Sequence, residues 1–150
     1  MSSFIVILLL LLPSGSKCDC HPVKANQTSY GANLFILVDG FKVSEISGKV
    51  SLRDGADPVV DAIVEVFEYS NSGADYKDVD RALAKKRRAA CATGNDGGFC
   101  FSNIPSGRYL LRAGTGKSSG INQIHAIITV LPKNQKAPTE KIELSLSLGT

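Results

Sequence analysis

The sequence predicts an all-β protein, an antiparallel β-sandwich of seven short strands with one short helical insertion. Two patterns in its 150 residues favour this fold. Short runs of β-forming residues recur from Ile46 onward, and clusters of Gly, Asp, Asn, Pro and Ser separate them. In the last run, 142–148, isoleucine and leucine alternate with glutamate and serine, which indicates a strand with one buried and one wet face.

The length leaves room for one ordinary domain and excludes a large multi-domain enzyme. With 43% hydrophobic and 21% charged residues the chain has a globular composition, and a net charge of +3 does not indicate a nucleic-acid-binding protein. The absence of Trp and the presence of only two His leave few side chains for catalysis or metal binding. We therefore expect no cofactor.

Residues 1–16 have the features of a signal peptide. The nine apolar residues 4–12 are too few to cross a bilayer as a helix, and Ser14 and Ser16 occupy the −3 and −1 positions for cleavage after Ser16. The lack of a basic residue before them leaves a short membrane anchor as the alternative. We expect a secreted, periplasmic or cell-surface protein with no stable membrane span and with its four cysteines in an oxidising compartment.

The mature chain is expected to begin with an N-terminal arm, 17–45. Residues 17–33 are polar and lack a helical or strand period, and 34–38 form one short strand. The arm contains the glycosylation sequon Asn26-Gln27-Thr28, which is common by chance. Residues 46–150 form the domain itself, in which the seven predicted strands cover 46–53, 62–69, 89–93, 98–103, 108–113, 124–130 and 142–148.

The helical insertion is predicted at 75–88. Asp75 can cap its first turn, the basic run KKRR at 85–88 complements the dipole at its end, and Tyr76, Val79 and Leu83 share one face. The basic run could dock on an anionic polymer or a membrane surface. We favour the simpler interpretation of a solvated helix end.

Five segments carry a pattern that runs through the predicted domain: SGKV at 47–50, DG at 54–55 with PV at 58–59, DAIVEV at 61–66, T at 93 with DGGFCF at 96–101, and IPSGRYLL at 104–111. In this order they resemble the carboxypeptidase regulatory-like domain, a family with a transthyretin-like β-sandwich. The resemblance covers about 46–148. Asp61 stands where that family usually has Gly, and Gly94 where it usually has Asp.

The resemblance implies a non-catalytic module of exported and cell-surface proteins. It does not imply peptidase activity, because neither His21 nor His125 begins the H-x-x-E motif of a zinc carboxypeptidase. We interpret His125 as a surface or hydrogen-bonded strand residue. The related Cna-B-like domains contain a Lys–Asn isopeptide bond, but the last strand offers no Asn to Lys49 and Glu65, so we reject such a bond here.

The cysteines allow two further interpretations. Cys18, Cys20 and His21 resemble part of a metal site, but a closed zinc site needs four ligands, so we favour an arm without metal. If residues 94–97 form a four-residue hairpin loop, Cys91 and Cys100 face each other, and we predict a disulfide between them. Whether Cys18 and Cys20 are paired, lipidated or free stays open.

Three classes of function remain. The favoured one is a structural or protein-interaction module whose partner is a protein or a cell-surface polymer. The first alternative is a carbohydrate-binding module, although stacking aromatics are scarce. The second alternative is a small hydrolase, for which we find no catalytic constellation.

Overall fold

The computed structural model describes residues 18–30, 35–52, 55–69, 86–117 and 119–148. The predicted signal peptide, 1–16, and most of the predicted helix, 75–88, lie outside these residues. No helix in the described part of the chain is long and apolar enough to cross a membrane.

The described residues form ten strands and no helix, which confirms the prediction of an all-β protein. Eight of the strands fall within 46–150, where seven were predicted, because the two-residue strand β4 was not foreseen. The strands are β1 (His21–Pro22), β2 (Phe35–Val43), β3 (Ile46–Leu52), β4 (Asp57–Pro58), β5 (Ile63–Glu68), β6 (Arg87–Ala92), β7 (Gly98–Phe101), β8 (Gly107–Gly114), β9 (Gln123–Val130) and β10 (Ile142–Leu146).

The strands form two mixed sheets rather than the purely antiparallel arrangement that we expected. The larger sheet has the order β1-β6-β5-β8-β9-β2, and in the smaller one β3 pairs with β10 on one edge and with β4 and β7 on the other. β2 runs parallel to β9, and β3 runs parallel to β10. Parallel neighbours need a long connection, and each of these pairs joins an early strand to a late one. Such pairings leave no local signal in the sequence.

Both sheets contribute to one hydrophobic core. Val64 and Val66 of β5 point into it, as do Phe99 and Phe101 of β7. The last strand alternates as predicted up to its end, but Leu148 lies beyond β10 and is 60% exposed. The outer face of the larger sheet carries a second, smaller cluster of Phe67, Leu110 and Ile127.

Two predicted boundaries differ from the structure. The helix expected at 75–88 does not reach Arg88, because Arg87 and Arg88 belong to strand β6. The predicted N-terminal arm, 17–45, supplies both outer strands of the larger sheet, since β1 pairs with β6 and β2 pairs with β9. The larger sheet therefore contains strands from both sides of Ile46.

Candidate functional site

Residues 18–30, which we call the docked arm, run from the edge of the larger sheet across its outer face. Near its start, His21 and Pro22 lie opposite Ala92 and Cys91 of β6. At its end, the backbone N–H of Tyr30 donates to the carbonyl oxygen of Thr115 over 2.8 Å. The docked arm is thus held by backbone hydrogen bonds at both ends.

Two glycines allow the docked arm to approach this closely. A Cβ atom at Gly94 would lie 2.8 Å from the Cβ of Asp19, and one at Gly114 would meet the carbonyl oxygen of Tyr30. At both positions the added Cβ would lie closer to its neighbour than real Cβ atoms do. Any larger residue at either position would push the docked arm away from the sheet.

A buried carboxylate lies beneath the docked arm. Glu65, on the outer face of β5, is 1% exposed and faces Arg112 of β8, which is 5% exposed. Arg112 Nε donates to Glu65 Oε2 over 2.9 Å, and Arg87 Nη1 donates to Glu65 Oε1 over 3.1 Å. Two guanidinium groups therefore compensate the charge of Glu65.

The docked arm completes this site. The Thr28 hydroxyl donates to Glu65 Oε1 at 3.0 Å, while the Ser29 hydroxyl and backbone N–H donate to Oε2 at 2.8 and 3.2 Å. Arg87 also donates to the backbone carbonyl oxygens of the docked arm, namely those of Lys24, Ala25 and Gln27. We call Thr28, Ser29, Glu65, Arg87 and Arg112 the Glu65 cluster.

The electrostatics of the Glu65 cluster keep the carboxylate ionised. Burial by itself would raise the pKa of Glu65, but the hydrogen bond and positive charge of Arg112, together with the bonds from Ser29, outweigh it and lower the pKa below its usual value. Among the described residues, five donors point at the two oxygens of Glu65. A carboxylate held in this way is poorly placed to accept a proton from a substrate or to bind a metal.

His125 lies next to the Glu65 cluster. It is 3% exposed and stands opposite Arg112 in the pairing of β8 with β9. Its Nε2 is 3.0 Å from Oε1 of Gln123, whose amide nitrogen donates to the Ser29 hydroxyl at 2.6 Å. This placement agrees with the interpretation of His125 as a hydrogen-bonded strand residue.

The disulfide of the structure joins Cys18 of the docked arm to Cys100 of β7, with Cα atoms 5.9 Å apart. The prediction of a Cys91–Cys100 disulfide is therefore wrong, because Cys100 is bonded to Cys18. Residues 94–97 do form a turn, with Gly94 N–H donating to the Gly98 carbonyl at 3.1 Å. However, β6 before the turn and β7 after it belong to different sheets, so that Cys91 pairs with Val64 and Cys100 with Ser47.

The four cysteines nevertheless converge at one place. Cys20 Sγ lies 3.5 Å from Cys18 Sγ and 3.5 Å from the carbonyl oxygen of Cys100. Cys91 is buried in the core and Cys20 packs against that core, and both are free thiols. The sulfurs of Cys18, Cys20 and Cys100 all lie within 4.8 Å of one another, whereas the exposed His21 is not part of this group.

The other candidate residues are dispersed. In the basic run at 85–88, Lys86 is exposed, Arg87 belongs to the Glu65 cluster and Arg88 pairs with Glu68 at 2.7 Å; Lys85 lies outside the described residues. Lys49 is in the smaller sheet, 3.9 Å from Asp96, and not near Glu65. Within the described part of the chain, these residues form neither a compact basic patch nor the Lys49–Glu65 pair of an isopeptide site.

An open cleft of about 520 Å³ lies beside the docked arm. Its walls include Val60 and Asp61 before β5, Gln27 of the docked arm, and Thr115 and Lys117 of the loop after β8. Val60 is 47% exposed. The cleft combines apolar residues with one acidic and one basic side chain, which suits a ligand or partner of mixed polarity.

Comparison with known proteins finds no family model that matches the chain and no curated protein with significant similarity to it.

Proposed function

We propose that this protein is an exported, non-catalytic module with a structural or protein-interaction role at the cell surface or in the periplasm. Its domain is a transthyretin-like β-sandwich of the carboxypeptidase regulatory-like type, extended by a docked arm. The observation that carries the proposal is that charged and reactive side chains of the strands fix the docked arm: Glu65, Arg87 and Arg112 hold it by hydrogen bonds, and Cys100 holds it by a disulfide.

The two departures from the family pattern support this assignment. Asp61 has φ of 57°, a conformation that glycine adopts most easily and that aspartate tolerates better than most residues. Gly94 replaces an aspartate at the point where Asp19 packs against the domain. Both differences thus have a local physical reason within the same fold.

The export proposal is tested with the full chain in a host that has a secretory pathway. We expect the protein in the periplasm or medium, with its N-terminus near Lys17. Retention inside the cell with Met1 still present would contradict the proposal.

The interaction role is tested by cross-linking the exported protein to the cell surface from which it comes. We expect a specific partner, a protein or a polymer, that wild type captures and Val60→Arg loses, because the change puts a charge at the mouth of the cleft. Leu148→Arg is the matched control, since Leu148 is also an exposed apolar residue but does not line the cleft. Equal capture by the two variants would argue against the cleft as the interaction surface.

A carbohydrate-binding role is the second candidate. Tyr30 is 48% exposed, and its backbone pairs with Thr115, a residue that lines the cleft. An exposed aromatic ring of this kind can stack on a sugar. A glycan array with wild type and Tyr30→Ala tests it. Binding that the substitution abolishes would favour this role over the first.

A further inference from the structure

Two of the four clustered cysteines have no covalent partner in the structure. We infer that Cys20 and Cys91 form a second disulfide in the mature protein, so that the segment Cys18-Asp19-Cys20 is bonded to both sheets. The inference uses the proposed export only for its oxidising compartment.

The register of the docked arm places the two thiols on the same face. Pro22 lies opposite Cys91, and Cys20 precedes Pro22 by two residues, so the side chains of Cys20 and Cys91 both point to the inner face of the larger sheet. Cys91 belongs to the core cluster and Cys20 packs against it. Burial and the neighbouring Cys20 thiol together raise the pKa of Cys91, so the two thiols lie close to each other. Bond formation then requires the partly buried Cys20 side chain to turn toward Cys91.

The two bridges would join the docked arm to different sheets. Cys18 is bonded to Cys100 of β7, in the smaller sheet, whereas Cys20 would be bonded to Cys91 of β6, in the larger sheet. Cys18 and Cys20, only two residues apart in the docked arm, would therefore be bonded to different sheets. This arrangement gives a reason for the cysteines to lie near one another where the docked arm meets both sheets.

A metal site made of the same residues is less favourable. Thiolates, not disulfide sulfurs, are the ligands of zinc, and Cys18 and Cys100 already share a disulfide.

The oxidation balances with an external disulfide such as glutathione disulfide. The Cys20 thiolate attacks one sulfur of glutathione disulfide, forms a mixed disulfide and releases one glutathione thiolate. Cys91 then attacks the Cys20 sulfur, its proton passes to the released thiolate, and a second glutathione leaves. In total, two cysteine thiols are oxidised and one glutathione disulfide is reduced to two glutathione molecules.

The test uses the full chain, reduced under denaturing conditions and refolded in a glutathione redox buffer, so that it does not depend on export. Remaining thiols are blocked, and the unreduced protein is cut with a protease that cleaves before aspartate. Asp19 separates Cys18 from Cys20, and Asp96 separates Cys91 from Cys100, so each of the three possible pairings gives different linked fragments. Trypsin is unsuitable because no Lys or Arg lies between Cys18 and Cys20 or between Cys91 and Cys100.

We expect no free thiol, with fragment 19–38 linked to 80–95 and the fragment ending at Cys18 linked to 96–150. Blocked thiols on 19–38 and 80–95 would overturn the inference, as would either of the other pairings. Stoichiometric zinc binding that protects all four thiols from oxidation would overturn it too.

A pair of double variants keeps the inference testable if wild type refolds poorly. Cys18→Ser with Cys100→Ser leaves only Cys20 and Cys91, which should still oxidise within one molecule. Cys20→Ser with Cys91→Ser is the matched control and should retain the Cys18–Cys100 bridge. Persistent free thiols in the first variant, once it has folded, would overturn the inference. If the chain forms both bridges in vitro but is retained in the cell, only the proposed export is contradicted.

Discussion

Arg112 and Glu65 lie directly opposite each other on β8 and β5 and form a buried ion pair, with Arg112 Nε 2.9 Å from Glu65 Oε2. Removing two charges from water is costly, and the cost is offset only when the remaining hydrogen-bonding positions are filled. Thr28 and Ser29 fill them from the docked arm. The docked arm and the ion pair are therefore mutually dependent.

The first prediction concerns the substitution Glu65→Gln. It removes the negative charge that pairs with the buried Arg112 and with Arg87, and we expect the free energy of unfolding to fall by about 3–5 kcal/mol. Denaturant titration measures the loss. Glu68→Gln is the control, because the Glu68 side chain is 57% exposed and its bond to Arg88 should contribute less than about 1 kcal/mol. Similar losses in both variants would contradict the buried pair.

The second prediction concerns acid. The pKa of Glu65 is lower in the folded protein than its ordinary value of 4.5, so the unfolded chain binds the proton more readily. The stability due to Glu65 is therefore fully present above the unfolded pKa of 4.5 and is lost as pH falls through the lower folded pKa. Unfolding curves from pH 7 to pH 2 should show a steeper acid loss for wild type and Glu68→Gln than for Glu65→Gln. Parallel profiles for all three proteins would argue against a lowered pKa.

The sequence predicted the strands well because alternation is a local signal. Ile142, Leu144 and Leu146 are buried in β10 as expected, and β5 places Glu65 on the face opposite Val64. What alternation could not show is that the docked arm covers the outer face. Glu65 and Arg112 within otherwise apolar strands were the available signal for the Glu65 cluster, and together they indicate a buried pair.

The disulfide shows where local reasoning fails. The Gly94–Gly97 turn is real, but a turn does not determine whether the strands on either side stay in one sheet. The partner of Cys100 is instead 82 residues away, in a polar segment without periodicity. Long-range pairing of this kind requires the tertiary structure.

The third prediction concerns Gly94→Ala. The new methyl group would lie 2.8 Å from the Asp19 Cβ, and the Asp19 carbonyl oxygen at 3.0 Å leaves no room on that side. We expect a loss of about 1–3 kcal/mol and faster cleavage by trypsin after Lys24, as the docked arm loosens. Gly116→Ala is the control, since its Cβ would make only an ordinary contact with Ile63 at 3.5 Å. Equal cleavage rates in the two variants would show that the docked arm does not depend on Gly94.

The last prediction concerns the backbone at Asp61. Its φ of 57° lies in the left-handed region, and its N–H donates to the Thr93 carbonyl at 3.0 Å, which fixes the entry into β5. A β-branched residue is strained in that conformation, so Asp61→Val should lower the free energy of unfolding by about 1–3 kcal/mol. Asp61→Gly should change it by less than about 1 kcal/mol, because relief of strain opposes the greater freedom of the unfolded chain.

Asp57→Val controls for the loss of an exposed carboxylate, because Asp57 lies in strand β4 and is not among the residues with positive φ. Thermal and denaturant unfolding of the three variants measure these differences. If Asp61→Val were as stable as Asp61→Gly, the left-handed conformation of Asp61 would be refuted. The physical reason given for Gly at this position in the family that the chain resembles would then fail too.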